Sequence, residues 1–223
     1  MKRIILLGVA ALPLVVHAEG VLDVTPAPPS YTVIDIDFWG TISTVEVGTR
    51  RVGDAITGSL RIDLRVAPSD FWDDSIWPNE GQYIHNFPCE RNCAEPEPDA
   101  PSRFVTTRGA PVDLGGNSYD EVHLVDGTEG SSFPADEFRV RDWELGAGSG
   151  DGYSELRVHV GASSRLVDFI HGDDLLQEFD LRPAETADTH AGGSWHEAVA
   201  GNSTALFEFV IDRLRVTPKV CRM

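Results

Sequence analysis

Cations and cysteines are scarce in this chain, and so are long apolar runs. Eighteen Lys and Arg face 36 Asp and Glu, a formal charge of −18. An overall charge of that sign repels phosphate backbones and anionic headgroups at long range and supplies no phosphate affinity, so nucleic acid is not expected as a partner. The three cysteines are Cys89, Cys93 and Cys221. Only His85 stands near the first two, so a zinc site lacks ligands there. In an oxidising compartment the spacing predicts a small-loop Cys89–Cys93 disulfide that leaves Cys221 unpaired, with pairing of Cys221 to either of the others as the alternative. Long amphipathic helical patterns are also missing, which turns attention to strands.

The one sustained apolar run covers residues 4–16, behind Lys2 and Arg3 and ahead of Val16, His17 and Ala18. It is too short for a permanent membrane span and has the layout of a secretory signal, with cleavage expected after Ala18 and a mature N-terminus at Glu19. No cysteine stands at that point to carry a lipid anchor. Cleavage removes two cations and no acid, moving the charge from −18 to −20. The expected location is therefore secreted or periplasmic, without a stable membrane anchor. About 205 residues remain, enough for one domain with a substantial core.

Residues 19–30 include Pro26, Pro28 and Pro29 and read as an extended leader. The periodicity then becomes two. Ile34, Ile36 and Phe38 alternate with Asp35 and Asp37, and Ile56, Gly58, Leu60, Ile62 and Leu64 alternate with Thr57, Ser59, Arg61 and Asp63. Such alternation predicts strands with one buried and one wet face. Residues 41–47 and the turn around Gly48, Gly53 and Asp54 complete an expected meander. Further strands are predicted at 103–107, 119–125, 137–145, 155–160 and 205–216. The third of these, 137–145, changes parity between Val140 and Trp143, which predicts a bulge near Arg141 and Asp142. The last carries apolar residues on both faces and reads as a central strand.

Residues 67–101 hold Pro68, Pro78, Pro88, Pro96 and Pro98, with eight acids against the single base Arg91, and read as a long insertion loop. Residues 166–182 are ambiguous between strand and a helical turn, and 183–204, rich in Gly, Ala, Thr and His, read as loop. About eight to ten short strands with regular Gly and Pro punctuation predict an all-β, antiparallel β-sandwich of jelly-roll type, a closed β-barrel being the alternative. The expected domain runs from 31 to 217, with a C-terminal tail at 218–223.

Several groups offer chemistry. Trp72 and Trp77 flank Asp73 and Asp74 in the long loop, a combination that can stack on a pyranose ring and bond its hydroxyls; the bland alternative is that the rings pin the loop to the sheet. Asp151, in a Gly-rich turn, together with Asp173 and Asp174, and with Asp142 and Asp168, could supply oxygens to a structural calcium, although the EF-hand spacing is absent. His190, His196 and Glu197 stand within eight residues, but Ala200 occupies the place of the second histidine of a helical zinc motif. No nucleophile elbow is present. No strand shows two glutamates set for glycosidic cleavage.

Gly40, Ser43 and Val45, followed by Val52, Gly53, Asp54, Gly58, Leu60, Ile62 and Asp63, form a hairpin pattern that resembles uncharacterised secreted bacterial β-sandwich proteins of the kind often carrying a PEP-CTERM anchor. Phe207, Phe209, Ile211 and Leu214 look like the last strand of such sandwiches. The chain ends in Thr217, Pro218, Lys219, Val220, Cys221, Arg222 and Met223, without the apolar anchor. The resemblance implies a released protein and assigns no catalytic residue. The functional expectation is a non-catalytic secreted domain that binds carbohydrate or a cell-surface component, with a jelly-roll hydrolase acting on polysaccharide as the alternative.

Overall fold

The computed structural model describes residues 30–64, 82–87, 102–114, 118–127, 135–145, 152–164, 167–172, 175–186 and 188–222. Every regular element among them is a strand: β1 (Ser30–Val47), β2 (Ala55–Asp63), β3 (Gln82–Phe87), β4 (Ser102–Thr106), β5 (Val112–Leu114), β6 (Ser118–Val125), β7 (Glu137–Leu145), β8 (Gly152–Ala162), β9 (Phe179–Leu181), β10 (Thr189–Val199) and β11 (Asn202–Arg222). No helix among the described residues is long and apolar enough to cross a membrane.

The strands form one antiparallel sheet in the order β3-β6-β7-β8-β10-β11-β1-β2-β4-β5, with β9 pairing β11 off this path. The sheet curls into a half-barrel, so its two arms face each other across a single core in the manner of a sandwich or barrel. The all-β, antiparallel expectation therefore stands. β1 and β11 form the spine, paired from Ser30↔Arg222 to Val47↔Leu206.

Parity builds the core. Ile34, Ile36 and Phe38 of β1, Ile56, Leu60 and Ile62 of β2, and Leu156, Val158 and Val160 of β8 all point inward and are buried. β11 carries Phe207, Phe209 and Ile211 inward, then Leu214 and Val216. The parity change coincides with a register shift opposite Trp39 and Gly40, which keeps both halves of this long strand apolar on the same side. Ring contacts mark where the arms meet: Phe104 of β4 packs edge-on against Trp195 of β10 at 4.9 Å, and Phe138 of β7 against Phe179 of β9 at 5.2 Å. Burying each such ring contributes about 2–3 kcal/mol. Asp136, buried just before β7, accepts hydrogen bonds from the backbone N–H groups of Gly127, Phe169 and Ile170 and so ties three segments to the core edge.

Six expectations need correction. Residues 189–199 are not loop but β10, a central strand paired with β8 on one side and β11 on the other. Its Gly and Ala residues have low strand propensity, but packing overrides it. A Cβ at Gly193 would lie 2.3 Å from the Phe209 ring, so the core needs glycine there. β7 runs without a bulge: its register is unbroken from 137 to 144 with β6 and from 137 to 145 with β8. Asp142 is buried and Trp143 lies on the other face, its ring covered by the Arg141 guanidinium at 3.6 Å. Residues 82–87 of the expected insertion loop are strand β3, paired with β6. Residues 41–47 are not a separate strand but continue β1, and β11 carries the sheet through the expected tail to Arg222. Asp35, expected on a wet face, is only 3 % exposed, because Arg61 and Lys219 close over it. Within the ambiguous stretch 166–182, the regular element found is the short strand β9.

Candidate functional site

The sheet's outer face is built from the residues opposite to the core set. Across β7, β8, β10 and β11, register places Arg141 opposite Arg157, Arg157 opposite Ser194, and Ser194 opposite Glu208. The next row runs Arg139, His159, Gly192 and Val210. Long side chains stand on β7 and β8, while Gly192 and Ser194 on β10 have almost none. The result is a trough of about 520 Å³ along β10, walled by Arg139, Arg141, Arg157 and His159 on one side and by Glu208, Val210 and Ser43 on the other, with Glu121 at its far end. That volume lies in the range of small-molecule sites.

Two arginines directly opposite each other repel, and Glu155 makes the arrangement stable. Its buried carboxylate accepts from Arg157 Nε at 2.7 Å and Arg157 Nη2 at 3.1 Å, and also from Arg141 Nε. Burial pushes the Glu155 carboxyl up, but hydrogen bonds from Arg157 and Arg141 outweigh it, so its pKa lies below the ordinary carboxylate value. The Arg157 guanidinium is held above its ordinary value by the same bond. Arg139 donates to Glu137 at 2.6 Å.

Three imidazoles gather beside Arg139. His159 lies 6.2 Å from His190, ring to ring. His123 is buried, and its Nε2 has no hydrogen-bond partner among the described residues. Burial is the main reason the pKa of both His123 and His159 lies below the ordinary 6.5; Arg139 adds to it for each, and His190 for His159.

Geometry disposes of two catalytic ideas. Glu121 and Glu155 both approach Arg141, Glu121 at 4.0 Å from Nη1, so a guanidinium fills the space between these carboxylates where a glycosidic oxygen would have to sit. Glu208 lies four strand steps from Glu121, which at strand spacing is about 19 Å, beyond the separation of a glycosidase pair. His196 bonds Ser203 Oγ through Nε2 at 3.0 Å and Tyr153 OH through Nδ1 at 2.5 Å. A neutral phenol in the third place does not stabilise an imidazolium as a buried carboxylate does.

A second cavity, of about 450 Å³, lies between β5, β8 and β10, lined by Val112, Asp113, Tyr153, Ser154, Trp195 and Glu197 among others. Trp195 is buried and held by Phe104.

Most of the sequence-derived site residues are not among those described. Trp72, Asp73, Asp74 and Trp77, the calcium candidates Asp151, Asp173 and Asp174, and the Cys89–Cys93 pair all lie outside the described residues. Asp142 is buried on β7, whereas Asp168 is exposed and paired with His171 at 3.3 Å. His190 and His196 share a face of β10 but are six residues apart, about 20 Å along a strand. Among the described residues no three His, Cys, Asp or Glu converge as metal ligands. The trough itself was missed by sequence reasoning because its floor was read as a loop. The signal was present: Ala191, Gly193 and Trp195 alternate with His190, Gly192, Ser194 and His196, a period of two with small residues on both sides. Comparison with known proteins adds no template: no family model, no curated protein and no solved structure matches this chain.

Proposed function

We propose that this is an exported, non-catalytic β-domain that binds carbohydrate, as part of a cell surface or a shed glycan, in the outer trough of β10. The supporting observation is the trough's mixed lining: guanidinium donors of Arg139, Arg141 and Arg157, carboxylate acceptors of Glu121 and Glu208, the hydroxyls of Ser43 and Ser194, and the apolar side chain of Val210. Polyols present donors, acceptors and C–H faces together, and a wall with all three complements them. Export is supported by the basic start, short apolar run and Ala18 of residues 1–18.

Ser194→Tyr tests the site. Tyrosine suits a strand and would fill the trough without touching the core. Glycan-array and calorimetric binding of the full chain, with and without calcium, should show ligands that the variant loses while its melting temperature holds. Unchanged binding would place the ligand elsewhere, the Trp72 and Trp77 loop being the next choice. Release of reducing sugar from a bound polysaccharide would replace the binding reading with hydrolysis.

A further inference from the structure

We infer that the saccharide taken by the trough is anionic, a chain bearing carboxylate or sulfate groups, and that Arg157 and Arg139 are the groups that recognise it. This rests on the reading of the trough as a carbohydrate site.

The argument begins with scarcity. A chain with half as many cations as acids places three guanidiniums along one wall of one cavity. Two of them stand directly opposite in register, an arrangement that costs stability unless a counter-charge is set between them. Glu155 provides it, but it is buried beneath the wall and cannot satisfy both forks. Arg157 spends its Nε and Nη2 on Glu155, and its Nη1 has no partner among the described residues. Arg139 uses one nitrogen, Nη2, for Glu137 and keeps Nε and Nη1. Both side chains are about half exposed, 50 % and 45 %, so these donors face solvent.

A guanidinium carries five N–H donors and no acceptor, and its planar edge matches the two oxygens of a carboxylate or sulfate. Neutral hydroxyls can use such an edge, but only an anion gains the charge-assisted bond. His159 stands beside Arg139 on the same wall and would add a further positive charge once protonated. Ser194 and Ser43 offer hydroxyls at the floor and opposite wall, where ring hydroxyls of the same sugar would lie. Of the two lining carboxylates, Glu208 stands on the opposite wall, across Ser194 from Arg157, and Glu121 lies beside Arg141 on β6; neither is hydrogen-bonded to Arg139 or Arg157 among the described residues, which leaves the arginine wall for the ligand's acid group.

The test is calorimetric titration of the full chain with a polyuronate, its neutral methyl ester, a sulfated polysaccharide and a neutral glucan. The polyuronate should bind at least tenfold more tightly than its ester. Arg157→Gln and Arg139→Gln should each lower that affinity about tenfold, the scale of one charge-assisted bond, and lower binding of the ester by less, so that the polyuronate's advantage over its ester narrows. Arg157→Lys should recover only part, because an ammonium has no fork. Equal or better binding of the sulfated polymer supports the anionic class and names sulfate as the source of charge. Arg157→Gln leaves Glu155 bonded to Arg141, and a melt recorded beside each titration shows whether the variant is folded; if it is not, Arg139→Gln and Arg157→Lys carry the test. Binding of the ester or the glucan as tight as that of the polyuronate overturns the inference and leaves the carbohydrate reading intact. Binding of none of the four, or binding that survives Ser194→Tyr, overturns both.

Discussion

Two polar regions share the outer face of this sheet, and they use the same side chains to opposite ends. On β1, β2, β9 and β11 the charges close on one another: Arg61 takes both oxygens of Asp35 at 2.7 and 3.0 Å, Lys219 joins the same carboxylate, Arg215 pairs with Asp37, and Arg213 with Asp180. Trp39 lies between Arg213 and Arg215, with ring contacts of 5.0 and 5.7 Å. Across β7, β8 and β10 three arginines have one buried acid between two of them, and the strand beside them carries glycine and serine. The first region is a closed ion network that covers a sheet. The second is an incomplete one with room beside it. Charge content alone does not separate a structural patch from a binding patch; what separates them is whether the donors are used up and whether a neighbouring strand leaves space.

The comparison breaks most sharply at Asp35. Replacing it with Ala strands Arg61 and Lys219 over a buried spot, and the loss should be about 3 kcal/mol. In a domain of this size that lowers the melting temperature by about 6–12 °C. A urea melt measures it, and ligand affinity at the trough should not change. Glu155→Gln should act with two signs at once. Stability should fall by about 2 kcal/mol, because two guanidiniums lose their shared acid, while affinity for an anionic ligand rises several-fold. Loss of both would mean that Glu155 mainly orients the arginines.

Acid should reveal the two regions in sequence. On the trough side, His123 and His159 have pKa values depressed below 6.5, so the unfolded chain takes up protons first. The stability they lend is complete above pH 6.5 and declines as pH falls from there toward their folded values. Asp35 is pushed up by burial but held below 3.8 by the bonds from Arg61 and Lys219. Its contribution is complete above about pH 4 and is lost as pH drops through the folded value. A pH series of melts should therefore show a first decline below 6.5 that His123→Gln and His159→Gln remove, and a second at lower pH that Asp35→Asn lessens, Glu155 and Asp180 contributing the rest.

The smallest effect is expected at the turn between β10 and β11. Ala200 and Gly201 both have positive φ, +50° and +78°, the mirror-image hairpin turn that favours Asn-Gly. Ala200→Asn should stabilise the trough's floor strand by about 0.5–1 kcal/mol, visible in the melt, without altering the Asp35 network.

How much of this was legible in the sequence follows from the same two regions. β1 and β2 alternate large apolar with polar residues, so strand, face and partner could be read directly. That Asp35 is buried could not, because its counterions Arg61 and Lys219 are distant in the chain. β10 was illegible for a different reason. Two of its inward residues, Ala191 and Gly193, are small, Gly193 because Phe209 fills the space above it, and its outward residues are small where the trough lies. Hydrophobic periodicity fades when the partner strand supplies the bulk. Trp143 misled in the other direction: an apolar ring was taken for core, and a cation from its own strand covers it instead.

The β1–β11 spine also dictates when the protein can fold. Its ion pairs join residues 178 and 184 positions apart, so the middle of the sheet forms only after nearly the whole chain has been made. Such distant pairing slows folding, because loop closure must precede any gain from contacts. During synthesis β2 can pair with β1, but both wait for β11, and β10 has neither Phe207 nor Phe209 to cover it. The two arms of the sheet therefore join only when the final strand, β11, has appeared.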